Sequence, residues 1–231
     1  MEILDFFQYY DPEPESPSYV KALAHGRLWQ TPRNYTYLLT YSTKMAVKVR
    51  QNQKEAIYFV TFTCYKWIPL FEITKLYDNI YNWFGLLNER NIKVLGYVFM
   101  PNHLHCLIYL PKDAPELYKI ISNAKRFMAY EIVKRLMQAD NFELLERLAS
   151  GVKAKEAKNG KLHQVFEESY DAKECFSEHF IQQKLSYMHK NPISGKWNLA
   201  TDYLAYPYSS ARFYDLNQDD ENTKITHYLD I

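Results

Sequence analysis

The chain has 231 residues, enough for one sizeable domain with appendages, and a hydrophobic content of 47% that supports a real core. Its net charge of +1 gives no global basic signature, so a nucleic-acid partner would have to be met by local charge. Three widely spaced cysteines, Cys64, Cys106 and Cys175, with no Cys-x-x-Cys pair, argue for reduced thiols rather than a disulfide frame or a zinc ribbon. No secretion signal and no apolar run of membrane-spanning length is legible, so a cytoplasmic protein that does not enter a membrane is expected.

Residues 1–44 read as an N-terminal extension, because Asp11-Pro12-Glu13-Pro14-Glu15-Ser16-Pro17 cannot hold regular structure. The aromatic stretch Tyr35 to Tyr41 would suit an edge strand or a segment that wraps the domain, Met45 would make a plausible alternative start, and the main domain is expected over 45–195. Ile57 to Cys64 alternates as a strand, with Tyr58, Val60, Phe62 and Cys64 on an apolar face and Thr61 and Thr63 on the other. Glu72 to Glu89 carries helical spacing, with Ile73, Leu76, Tyr77, Ile80, Trp83, Phe84 and Leu87 in one stripe.

Leu95 to Leu110 reads as strand, turn, strand, with Pro101-Asn102 as turn chemistry. His103 and His105 stand two apart on the second strand, so their side chains share one face and can hold one metal ion. Leu104, Cys106, Ile108 and Leu110 form the opposite, uniformly apolar face. A lone strand histidine is usually structural, and His-x-His alone leaves the two readings near even.

Ala114 to Gln138 is a second helix, with Leu117, Ile120, Ile121, Ala124, Met128, Ile132 and Leu136 turned inward. From Lys119 onward it holds Lys119, Lys125, Arg126, Lys134 and Arg135 against one acid, Glu131, so Lys125 and Arg126 are candidate phosphate contacts. Asp140 to Leu162 reads as a short helix plus loop, and His163 to Tyr170 as a last strand. Ser177 caps a third helix that ends near Asn191-Pro192. Residues 196–231 form an aromatic tail expected to pack on the core. The order of elements predicts an α+β protein with a ferredoxin-like (RRM-like) antiparallel sheet, helices on one face, and His103 and His105 on the open face.

The third helix buries Ile181, Leu185 and Met188, while Gln183, Lys184, Tyr187, Lys190 and Asn191 lie on another side. By itself such a side is an ordinary solvated face. The chemistry that joins it to the histidines is phosphoryl transfer to tyrosine. There a divalent metal held by imidazoles and an amide oxygen neutralises charge on a phosphate that a phenol attacks. Lys184 and Lys190 would offset phosphate charge or lower the phenol's pKa. Tyr170 is the other candidate nucleophile, but position 174, four residues on, is a glutamate rather than an amide.

At these residues the chain resembles a known family. Met100-Pro101-Asn102-His103-Leu104-His105 is similar to the His-hydrophobic-His ("HUH") motif of single-tyrosine transposases. Tyr187-Met188-His189-Lys190-Asn191-Pro192 is similar to their Tyr-x-x-x-Asn-Pro helix. Asp202-Tyr203 through Tyr206-Pro207-Tyr208-Ser209-Ser210-Ala211 resembles the tail of the REP-associated tyrosine transposase branch. The resemblance implies an HUH nuclease core that cleaves and rejoins single-stranded DNA next to hairpins through a 5′-phosphotyrosine. It also implies Tyr187 as nucleophile, His103, His105 and Asn191 as ligands of Mg²⁺ or Mn²⁺, and hairpin or single-stranded DNA as partner. Val165-Phe166-Glu167 departs from the family's Trp-Gln before the last strand. Two other readings stand beside this one: a non-cleaving binding module for structured DNA or RNA, and a water-using phosphodiesterase that would survive Tyr187→Phe. Monomer and homodimer, with Tyr187 completing its own or a partner's site, are both open.

Overall fold

The computed structural model describes residues 53–195 and 197–231. The expectations for residues 1–44, for Tyr35 to Tyr41 and for a boundary at Met45 lie outside the described residues. The fold is mixed α/β, built on a four-stranded antiparallel sheet of order β2-β3-β1-β4. The strands are β1 (Ala56–Thr63), β2 (Lys93–Phe99), β3 (His103–Leu110) and β4 (Asp171–Glu174). Helices α1 (Leu70–Ile73) and α2 (Tyr77–Glu89) connect β1 to β2. Helices α3 (Leu117–Gln138), α4 (Phe142–Ser150) and α5 (Ala154–Ala157) lie between β3 and β4, and α6 (Glu178–Lys190) and α7 (Ala211–Leu216) follow.

The first sheet face is the expected apolar one. Tyr58, Val60, Phe62, Leu104, Cys106, Ile108 and Leu110 join the inner stripes of α2 and α3 in one buried cluster. All seven inward residues predicted for α3 are buried. The three cysteines are buried free thiols.

Three expectations are corrected. The helix expected over 72–89 is broken, because Lys75 takes left-handed backbone (φ 51°) between α1 and α2, leaving Ile73 at 44% exposure outside the stripe. The strand expected over 163–170 reduces to a single bridge, Phe166 to Cys64, and the fourth strand is β4 beyond it. Polar, charged Asp171 to Glu174 gives little apolar periodicity from which to predict a strand.

The third correction concerns the second sheet face, which is covered rather than open. Phe59, Leu95, Val98 and Leu107 make it apolar, and Ile181, Leu185 and Met188 of α6 pack on them. Helices therefore flank the sheet on both sides. A β-bulge between Val94 and Gly96 interrupts the β2–β3 ladder there. A Cβ at Gly96 would come within 2.7 Å of Leu185 Cδ2 and 2.9 Å of Met188 Cε, so the absent side chain sets how closely α6 approaches. Gly96→Ala is expected to destabilise the protein by about 1–3 kcal/mol through overpacking. A chemical-denaturation midpoint equal to wild type would contradict this account of the packing.

The C-terminal residues finish the cover. Tyr208 to Ser210 run along β2, with Phe99 N–H donating to Tyr208 O (2.9 Å) and Ser210 N–H to Tyr97 O (3.0 Å), which closes that sheet edge. Tyr206 Oη donates to Phe99 O (2.6 Å) and Tyr214 Oη to Leu95 O (2.6 Å). Among the described residues no helix is long and apolar enough to cross a membrane.

Candidate active site

Strand alternation and pairing put His103, His105, Thr61, Phe59 and Asp171 on the side of the sheet that faces α6. His105 pairs with Thr61, which pairs in turn with Asp171 on β4. Both histidines are buried, at 4% and 1% exposure, because α6 and the C-terminal residues roof them. Their rings lie 4.9 Å apart by centroids, nearly perpendicular.

Hydrogen bonds assign the tautomers. Asn191 Nδ2, an amide donor, lies 3.1 Å from His105 Nε2, so Nε2 accepts and carries the lone pair. His105 Nδ1–H then donates to Thr61 Oγ1 at 2.7 Å. His103 Nδ1 lies 2.7 Å from Asn102 Oδ1, an acceptor, so it too carries its proton on Nδ1. Asn102 is fixed by its own Nδ2, which donates to Trp67 O at 2.8 Å. Both imidazoles therefore have an oriented acceptor behind Nδ1 and their lone pair on Nε2, the arrangement that metal-ligating histidines need. Burial drives the His105 pKa well below the usual range, followed by the charges of His103 and Lys184, so the ring is neutral at pH 7.

Around the pair stand Trp67 (5.6 Å from His103 by ring centroids), Trp197 (5.7 Å from His103) and Phe59, stacked 5.4 Å from His105. Lys66 and Trp67 both take left-handed backbone (φ 49° and 58°), conformations that cost energy in a non-glycine residue and are held here by surrounding contacts. Lys66 N–H donates to Glu167 Oε1 at 2.7 Å.

Helix α6 delivers the tyrosine. Ser177 Oγ caps it by accepting from Phe180 N–H (3.3 Å), as the sequence suggested. Tyr187 lies one turn before Asn191, and its ring sits 5.4 Å from that of His105 and 6.2 Å from that of Phe59. It is partly exposed, at 36%. Burial raises its phenol pKa, the hydrogen bond with the Asn191 side chain lowers it, and the Asp171 charge raises it. The net direction is upward, contrary to the expectation that Lys184 and Lys190 lower it. The Lys184 ammonium lies over the rings of Phe180 (5.0 Å), Phe59 (5.4 Å) and Tyr187 (5.8 Å).

Of the predicted site residues, His103, His105, Tyr187, Asn191 and Lys184 come together within one chain. Lys190 is exposed at the end of α6. Lys125 and Arg126 belong to α3, on the other side of the sheet. Lys125 Nζ donates to the carbonyls of Glu167 (2.6 Å), Glu168 (3.2 Å) and Ser169 (3.2 Å), and burial, more than the nearby Lys161, lowers its pKa to about 8. It ties a loop down rather than presenting a charge to phosphate. Arg126 is exposed beside Phe127, its guanidinium 4.9 Å from the ring centroid. Thr61, Asn102, Phe59 and Trp67 were not singled out from sequence. Thr61 was visible as a polar alternate in β1, and Asn102 as the turn residue next to His103.

His189 is buried, with Nε2 2.9 Å from Ser210 Oγ. Burial lowers its pKa to about 4, against a smaller upward pull from Asp215. Its folded pKa lies below the unfolded value near 6.5, so below that pH the unfolded chain binds more protons. Its contribution is complete above about pH 6.5 and is lost as the pH falls toward about 4; His105 acts in the same direction. Stability is expected to drop by about 2 kcal/mol from His189 alone between about pH 7.5 and pH 5, and His189→Gln should flatten the fall. Equal pH dependence of the melting temperature in wild type and variant would count against this.

Among the described residues no group of three or more His, Cys, Asp or Glu side chains could hold a metal ion. The donor set on offer is two neutral imidazoles and a carboxamide, His103, His105 and Asn191. Imidazole nitrogens suit a transition-metal ion better than hard, oxygen-seeking Mg²⁺, so within the expected pair the donor chemistry favours Mn²⁺.

No protein-family model matches this chain, and no curated protein matches it. Among solved structures, one described as the structure of the REP-associated tyrosine transposase bound to a REP hairpin is similar, with a TM-score of 0.47 and 15% identity. The match covers 79% of this chain and 96% of that one. The functional reading therefore rests on the side chains themselves.

Proposed function

We propose that this chain is a metal-dependent transposase and endonuclease of the HUH single-tyrosine type, built on a ferredoxin-like sheet and acting on single-stranded DNA beside hairpins. The observation that carries the reading is the convergence, in one chain, of Tyr187 from α6 and Asn191 from the C-cap just beyond it on His105 from β3. A binding module does not need a phenol beside two histidines whose Nδ1 protons are both held by side-chain acceptors. The chain order β-α-β-β-α-β, with sheet order β2-β3-β1-β4, supports the ferredoxin-like assignment.

In this reading His103 and His105 would hold Mg²⁺ or Mn²⁺ through Nε2, and the Asn191 amide, which here donates to His105 Nε2, would turn to present its Oδ1 to the ion. When bound, the ion neutralises charge that builds on the phosphate in the transition state. Tyr187 Oη attacks phosphorus as the bond to the 3′ oxygen breaks. The phenol's proton is lost, the 3′ oxygen leaves as a hydroxyl, and the 5′ phosphate is joined to the tyrosine, conserving the bond for rejoining. Thr61 and Asn102 hold the imidazole tautomers. The Trp67, Trp197 and Phe59 rings limit water around the histidines, which strengthens electrostatic contacts there. Lys184 and Lys190 would meet the DNA backbone.

The test is cleavage of labelled single-stranded hairpin DNA with added Mn²⁺ or Mg²⁺, read on a denaturing gel. The expected result is a metal-dependent, protein-linked band that chelator prevents. Tight binding with neither cleavage nor adduct would favour the binding-module reading.

A further inference from the structure

Phe176 is, at 84%, the most exposed of the large hydrophobic side chains among the described residues. It precedes the Ser177 cap, where an apolar residue often staples the helix by packing on the residue four positions past the cap. Here that residue is Ile181, buried in the cluster beneath α6, and a ring left 84% exposed does not act as a staple. Phe176 instead stacks on Phe180, with ring centroids 5.9 Å apart and planes at 23°. Phe180 in turn lies under the Lys184 ammonium, which also covers Phe59 and Tyr187. Phe180, Lys184 and Tyr187, spaced four and three residues apart, run along one side of α6, and Phe176 extends the row just ahead of the Ser177 cap through its ring contact with Phe180. From Glu178, where α6 begins, to Tyr187 the helix rises about 14 Å, the length of a few nucleotides.

We infer that Phe176 and Phe180 form a base-stacking platform for unpaired nucleotides of the strand that runs along α6 to Tyr187, with Lys184 meeting its backbone. This deepens the proposed function and rests on it. Bare phenyl rings accept any base on their faces, and alternation with an ammonium suits a chain of alternating bases and phosphates. Lys173 and Lys190 are exposed and Lys184 is half-buried along this edge, cations that suit the polyanionic backbone of a single strand. The platform is continuous with the candidate active site, because Lys184 touches both.

The experiment uses the full chain carrying Tyr187→Phe, so that no strand is cut, with fluorescence anisotropy of short oligo-dT and of the same strand carrying abasic positions. Phe176→Ala is expected to weaken oligo-dT binding about fivefold or more, with a much smaller effect on the abasic strand. Phe176→Trp should restore affinity, with tryptophan emission quenched by dT and not by the abasic strand. Phe176→Ala binding both strands as the parent does, or losing both equally, would overturn the inference. So would a change in oligomeric state by sedimentation without base dependence, which would assign the ring to a second copy of the chain. A base-dependent loss in Phe176→Ala, together with absence of any adduct in the Tyr187 protein, would uphold the platform while contradicting the cleavage chemistry.

Discussion

Tyr187→Phe is expected to lower cleavage of hairpin-flanked single-stranded DNA by about a thousandfold or more and to remove the protein-linked product entirely. The change deletes one hydroxyl from a partly exposed ring that keeps its contacts with His105 and Phe59, so the fold and strand binding should survive it. That separation distinguishes the proposal from a phosphodiesterase that uses water. Such an enzyme would keep most of its activity without the phenol. The upward shift of the Tyr187 phenol sharpens the expectation, because a neutral phenol must lose its proton as it attacks. Activity should therefore rise with pH over the alkaline range, measured in single-turnover cleavage.

His105→Ala carries the second large effect. It removes one proposed ligand and leaves Thr61 Oγ1 and Asn191 Nδ2 without the ring they contact. Cleavage should fall to background, and calorimetric Mn²⁺ binding should disappear. Because a buried ring is lost, a drop in stability alone could also silence the enzyme. Thr61→Val separates the two causes, since it keeps the ring and removes the acceptor behind Nδ1. It should weaken metal binding about 10- to 100-fold, with a melting temperature close to wild type. Unchanged Mn²⁺ affinity in Thr61→Val would contradict the tautomer assignment.

Much of the site was legible because it depends on short-range periodicity. A spacing of two put His103 and His105 on one strand face, and a spacing of four put Asn191, the C-cap of α6, one turn beyond Tyr187. The buried stripes of α2, α3 and α6 follow from the same rule. What escaped depends on long-range packing. Lys125 reads as a helix-surface cation, yet three carbonyls of residues 167–169 fold back onto it. The second sheet face reads as open, because nothing local in Phe59, Leu95, Val98 and Leu107 says that α6 returns to cover them. Gly96, whose missing Cβ admits Leu185 and Met188, reads only as one more strand residue. The break at Lys75 hides inside a continuous helical stripe because the apolar positions on either side keep their phase.

The most direct measurement is to trap the wild-type protein on a hairpin-flanked single strand with Mn²⁺, digest both components, and locate the nucleotide-bearing peptide by mass spectrometry. The account predicts a 5′-phosphonucleotide on Tyr187 alone. A nucleotide on another tyrosine such as Tyr170, or cleaved DNA with no modified peptide, would contradict it.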